Sequence, residues 1–193
     1  MMAKKGLLFL GLLLILTGSA CSQKELNDRL DYTIQNFQFE NQDREMVALA
    51  DLEGKVWIAN FIFTNCDTVC PISTSNMATL QKELKKNDLD VSLVSFSVDP
   101  ENDKPEVLRA YGENYQADFS TWDFLTGYGL DEIQWFAEHS FRTIVQQEPS
   151  SNQILHGTQF FLIDQEGKVA RHYSGLQDVP MEEIIKDSIL LVK

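Results

Sequence analysis

Between Val56 and Phe63 the chain is almost wholly apolar (VWIANFIF) and rich in aromatic and β-branched residues, the pattern of a strand buried on both faces. Val91 to Val98 (VSLVSFSV) repeats it and stops at Asp99-Pro100. The stretch between them changes period. Over 71–86, Ile72, Met77, Leu80 and Leu84 form a helical stripe, with Lys82, Lys85 and Lys86 on the other side. Pro105 suits a first turn and opens a helix over 105–115. A short strand is expected over 122–125 and another helix over 130–139. Gln159 to Asp164 and Val169 to Tyr173 are strands joined by Gln165-Glu166-Gly167-Lys168, a turn with its glycine. A closing helix spans 179–191, and residues 32–50 suggest a small N-terminal hairpin.

Strand, helix, strand, helix, then an antiparallel hairpin and a helix make an α/β fold: a central mixed sheet flanked by helices. This is the element order of a thioredoxin-like domain. No repeat interrupts it, so one domain is expected over 32–193. The cysteines at 66 and 70 fall directly between the first buried strand and the first helix.

The chain starts differently. Lys4 and Lys5 precede an apolar run (GLLFLGLLLILT) and the small residues Gly18-Ser19-Ala20. The run is short for a spanning helix and has the layout of a secretory signal over 1–20. Cys21 follows at once. The arrangement resembles a bacterial lipoprotein signal, with Gly18 where such signals carry leucine, and it implies lipid on Cys21. Ordinary cleavage near Ala20 or an uncleaved anchor is the alternative; each reading exports the rest. Residues 21–31, polar and unpatterned, read as a lipid-anchored tether. The domain is then expected on the extracytoplasmic face of the membrane.

Charge narrows the partners. The net charge is −13, and Lys4 and Lys5 are the only charges in the first 20 residues, so the remainder carries −15. An acidic domain without a basic cluster excludes nucleic-acid binding.

Cys66 and Cys70 carry the chemistry. Pro71 biases Cys70 away from helical angles, so Cys70 should cap the helix, with Pro71 in its first turn. Amide N–H groups at a helix start favour thiolate, the form that attacks disulfides and binds metals. Two soft sulfurs at a sheet edge suit Cu(I). A structural disulfide is the plainer reading, but a bridge enclosing three residues is an inefficient staple.

The segment Phe63-Thr64-Asn65-Cys66-Asp67-Thr68-Val69-Cys70-Pro71 resembles the CxxxCP motif of the Sco/SenC family of copper proteins. Ser97-Val98-Asp99-Pro100-Glu101-Asn102-Asp103-Lys104-Pro105 is similar to the family's second hallmark. Leu155-His156-Gly157-Thr158-Gln159-Phe160-Phe161-Leu162 is similar to its third. The resemblance implies a thioredoxin-like fold and a copper site of Cys66, Cys70 and His156. It also implies a metallochaperone that delivers copper to, or matures, the CuA site of cytochrome c oxidase. An imidazole beside two thiolates suits Cu(II) as well as Cu(I). Asp99 and Asp103, at the sheet edge where α/β sites collect, could support the site from behind or merely shape a turn. His139 and His172 read as surface or packing residues, Met77 and Trp57 as core.

The competing function is a thiol–disulfide oxidoreductase acting on the cysteines of a copper-site subunit. Thioredoxin-type enzymes, however, separate their thiols by two residues and place a proline where this chain has His156-Gly157-Thr158. A peroxiredoxin-like peroxidase would need threonine at position 63, which is Phe63. A thiol reductant and a copper donor are implied on either reading, and the sequence identifies neither.

Overall fold

The computed structural model describes residues 26–149, 151 and 153–192; the apolar leader and Cys21 lie outside the described residues. In chain order the strands are β1 (Tyr32–Thr33), β2 (Gln38–Asn41), β3 (Met46–Ala48), β4 (Val56–Ile62), β5 (Val91–Ser97), β6 (Trp122–Thr126), β7 (Val145–Gln147), β8 (Ile154–His156), β9 (Gln159–Ile163) and β10 (Lys168–Ser174). The helices are α1 (Cys70–Lys86), α2 (Pro105–Asn114), α3 (Leu130–Phe141) and α4 (Met181–Val192).

Eight strands form one mixed sheet in the order β1-β10-β9-β4-β5-β6-β2-β3. β4, β5 and β6 pair in parallel, so the loops that follow them gather at one end of the sheet. The run over 56–62 is continuous because both faces are covered. Val56, Ile58 and Ile62 meet Met77, Leu80, Leu108 and Ile184 from α1, α2 and α4. Trp57, Ala59 and Phe61 turn the other way, toward Phe136 and Phe141 of α3. There Phe96 lies 5.1 Å from Phe136 and 5.6 Å from Phe61, ring centre to ring centre. Strand alternation places these two sets on opposite faces.

Three features differ from the sequence expectation. Ile72 is 52 % exposed, outside the helical stripe. The buried face of α1 runs through Cys70, Thr74, Met77, Gln81 and Leu84, and two residues' rotation turns Ile72 about 200° from Cys70. Cys70 itself is the first residue of α1, and Val69 takes the cap position with no side-chain bond. Pro71 still fits the first turn, where an N–H has no helical partner anyway. β7 and β8, absent from the sequence reading, make a separate antiparallel ribbon with Val145 opposite His156.

The segment over 26–31, polar enough to read as tether, lies against the domain. Leu26 is buried, and the Leu30 N–H donates to the Ala170 carbonyl at 3.0 Å. Arg171 donates to the Asn27 carbonyl at 2.8 Å, and Arg29 pairs with Asp164. Backbone bonds and ion pairs hold this stretch, and neither leaves an apolar period in the sequence. Among the described residues no helix is long and apolar enough to cross a membrane.

Candidate metal centre

The site grows from the turn that links β4 to α1. Phe63, 1 % exposed, continues the buried strand; Thr64 and Asn65 then reverse the chain, and the Cys66 N–H reaches back to the Phe63 carbonyl at 3.4 Å. Cys66 is 6 % exposed and Cys70 1 %, yet Asn65, Asp67 and Thr68 around them are open to solvent. Both are free thiols. The Cys70 N–H donates to the Cys66 sulfur at 3.4 Å, and the Thr68 hydroxyl lies 3.6 Å from it.

These contacts divide the pair. Burial pushes the Cys66 thiol up, but the N–H groups of Cys70 and Thr68 and the Thr68 hydroxyl more than offset it, and its pKa lies below the ordinary value. Burial pushes the Cys70 thiol strongly up, and the charges of Cys66 and Asp103 add to that. The expectation that a helix start favours both thiolates therefore holds for Cys66 only. Cys70 sits too deep for the helix terminus to compensate its desolvation. Iodoacetamide at neutral pH should modify Cys66 about tenfold faster than Cys70 or more, because thiolate is the reactive form. Equal rates, read by peptide mass spectrometry, would contradict the division.

His156 arrives from the far side of the sequence, 86 residues from Cys70, at the end of β8. Its Nδ1–H donates to the Gly157 carbonyl at 2.8 Å, which leaves the Nε2 lone pair free. Nε2 lies 3.4 Å from the Cys70 sulfur. Burial pushes the imidazole pKa down, so the ring is neutral at physiological pH, and Phe63 holds it edge to face at 5.8 Å. Gly157 is needed here, because a Cβ would strike the Thr143 hydroxyl.

Two sulfurs and an imidazole nitrogen form a soft donor set with one nitrogen fixed in its metal-ready tautomer. As they stand, however, no three Cys, His, Asp or Glu side chains among the described residues form a closed ligand set. Cys66 is engaged with Thr68 and with the Cys70 N–H at the start of α1.

Over residues 27–191 the sequence matches the SCO1/SenC family. The chain belongs to that family. A SCO1/SenC family lipoprotein from Bacillus anthracis is similar to it at 49 % identity with a TM-score of 0.85, over 87 % of this chain and 99 % of that one. BsSco, described with a disulfide switch and as a member of the Sco family of cytochrome c oxidase assembly proteins, matches at 45 % and 0.82 over 88 % and 99 %. Arabidopsis thaliana ScoI, solved with copper bound, matches at 25 % and 0.68 over 81 % and 94 %. The fold is the thioredoxin-like fold of these Sco proteins.

Within this Sco chain the two aspartates behave differently. Asp103 is fully buried behind the cysteine turn. Its carboxylate accepts the Thr64 N–H at 3.2 Å, the Thr64 hydroxyl at 2.5 Å and the Ser97 hydroxyl at 2.6 Å. Asp99 takes the Asn102 amide at 2.9 Å, and its carbonyl accepts the Asp103 N–H at 2.8 Å. It shapes the turn that delivers Asp103. Neither carboxylate bonds a cysteine or His156. Tyr128, which the sequence reading missed, locks the same corner by donating to the Ser97 and Leu125 carbonyls. Thr64 was also missed; its partner lies 39 residues away, so no local spacing marks it. His139 stacks on Trp135 at 4.5 Å and bonds its carbonyl, and His172 is exposed on β10; neither bonds a cysteine or His156.

Proposed function

We propose that this protein binds copper as cargo through Cys66, Cys70 and His156, and delivers it to the CuA-bearing subunit of cytochrome c oxidase. The observation that carries the reading is the Nε2 lone pair of a neutral His156 aimed at the Cys70 sulfur from 3.4 Å. A histidine that served packing alone would not need its other nitrogen tied to a carbonyl and its free one turned to a thiol. Cys66 and Cys70 supply the soft donors for Cu(I), and His156 adds the nitrogen that Cu(II) prefers. Oxidase assembly and bound copper in the Sco relatives support the same reading. Lipid on Cys21 holds the domain at the outer face of the membrane; acyl chains anchor without a spanning helix.

Copper uptake should require the dithiol form, because a Cys66–Cys70 disulfide leaves no thiolate to donate. Titrating reduced and oxidised protein with Cu(I) under anaerobic conditions checks this. One ion held per reduced chain and little by the oxidised chain is expected; equal uptake would remove the sulfurs from the site.

A second reading is favoured by the unequal thiols. The Cys66 thiolate attacks a partner disulfide, forming a mixed disulfide and expelling one partner thiolate. The Cys70 proton passes to His156 Nε2, and the Cys70 sulfur then attacks Cys66 and releases the second thiolate. The partner gains two electrons and this chain becomes the disulfide, which an external thiol reductant must restore. Fast turnover of a disulfide-bonded CuA-loop peptide without copper binding would favour this chemistry.

A further inference from the structure

We infer that the membrane anchor leaves the domain at the same end of the sheet as the cysteine–histidine site, so the site is held facing the bilayer. The inference rests on the proposed lipidation of Cys21 and is independent of copper. Its starting point is strand direction. β1 pairs antiparallel with β10, Tyr32 opposite Val169 and Thr33 opposite Lys168. Traced backward from Tyr32, the chain therefore follows β10 toward Ser174. Leu30 bonds Ala170, Asn27 bonds Arg171, and Asp28 lines one shallow cleft with Tyr173 and Pro180.

The Ser174 end is the site end. Ser174 stands opposite Gln159, and the Gly175 N–H donates to the Thr158 carbonyl at 3.0 Å, two residues from His156. From the other side Asn76, on the second turn of the helix that Cys70 starts, donates to the Gly175 carbonyl at 3.0 Å. The opposite end is marked by the Gly54 N–H bonded to the Gln165 carbonyl.

Chain length then limits where the lipid can be. Five residue steps separate Cys21 from Leu26, a reach of at most about 18 Å. The seven residues of β4 alone extend about 23 Å. A reach shorter than a strand keeps an acyl group on Cys21 nearer the Ser174 end than the Gly54 end. Asp67 and Glu101 are exposed at the site end, and their repulsion from anionic lipid decays over about 8 Å at physiological salt, inside the reach of the tether. The site is kept near the bilayer without being pressed into it. The partner this suits carries its acceptor site low over the membrane plane, not on a domain reaching far into the aqueous space.

Energy transfer to the membrane plane tests the orientation. Full-length protein is extracted from membranes, and the mass of its N-terminal peptide is read first. An unmodified Cys21 would end the lipidation reading before any orientation is measured. Acylated protein is placed in vesicles of phosphatidylcholine and phosphatidylglycerol carrying a rhodamine headgroup acceptor. Donor dye is attached through p-azidophenylalanine at Ile72 or Glu101, at the site end, and at Glu53 or Glu166, at the opposite end; all four are exposed. Both site-end donors should transfer at least about twofold more efficiently than both opposite-end donors, given their separation by a strand length. Equal transfer, stronger transfer from Glu53 and Glu166, or disagreement within either pair overturns the inference.

Discussion

Cys66→Ser and Cys70→Ser should each abolish tight copper binding in both oxidation states, whereas His156→Ala should keep Cu(I) and lose most Cu(II) affinity. Serine preserves the shape of the turn but replaces a soft thiolate with a hard hydroxyl that stays protonated at neutral pH. The loss should exceed the roughly 10–100-fold that removal of an outer-shell partner costs. His156 is different because Cu(I) is satisfied by two thiolates, while Cu(II) prefers more ligands and nitrogen among them. Competition titrations with chelators of known affinity separate the two states, and the thiolate-to-Cu(II) absorption band, which reports the copper–sulfur bond, should be lost from His156→Ala together with its Cu(II). A folded His156→Ala protein with unchanged Cu(II) binding would take the imidazole out of the site. In cells all three variants should lower assembly of a CuA-containing oxidase.

Asp103→Ala should destabilise the protein by about 3 kcal/mol, because it strips the acceptor from the Thr64 N–H and from two hydroxyls at roughly 1–3 kcal/mol for a buried unsatisfied donor. For a domain of this size that is a fall in Tm of about 6–12 °C, readable by calorimetry. The same change releases Thr64 and should narrow the difference in alkylation rate between Cys66 and Cys70. Asp103→Asn keeps one acceptor oxygen and should fall between. It also isolates the charge. Burial pushes the Asp103 carboxyl above its ordinary 3.8, although the Ser97 and Thr64 bonds oppose this. A carboxyl raised on folding adds stability that is complete below 3.8 and fades as pH rises through the folded value. Wild-type stability should therefore lose this increment in the window just above 3.8, and Asp103→Asn should not. Identical pH slopes for the two proteins would mean that the carboxyl titrates normally.

The sequence announced β4 and β5 clearly because strands covered on both faces have no polar alternation to confuse with a helix. It announced α1 as well, and placed Met77, Leu80 and Leu84 in the buried stripe, but added Ile72 wrongly. Ile72 looked like the first core residue because isoleucine is apolar, while the stripe is in fact set by Cys70 and Thr74. β7 and β8 have three residues each, VQQ and ILH, too few to display a period. The two cysteines were legible from Pro71 and the strand before them. His156 was legible only through its similarity to a family motif, since nothing local ties it to residues 86 positions away. The role of Asp103 beneath Thr64 needed the fold, because only pairing of β4 with β5 brings the two loops together.

The stretch over 26–33 has a consequence for handling the protein. It covers β10, whose seven residues would otherwise form the open edge of the large sheet. Across the sheet the other edge, β3, has only three residues and offers little for a neighbour to pair with. A soluble version trimmed at Ile34 would lose Tyr32 and Thr33 from the ladder, Leu30 from Ala170 and Arg29 from Asp164. Bare backbone N–H and carbonyl groups along β10 would then be a template for a second copy, and self-association by strand addition follows. A version that begins at Leu26 keeps these bonds and should elute at a smaller size than the trimmed one in size-exclusion chromatography.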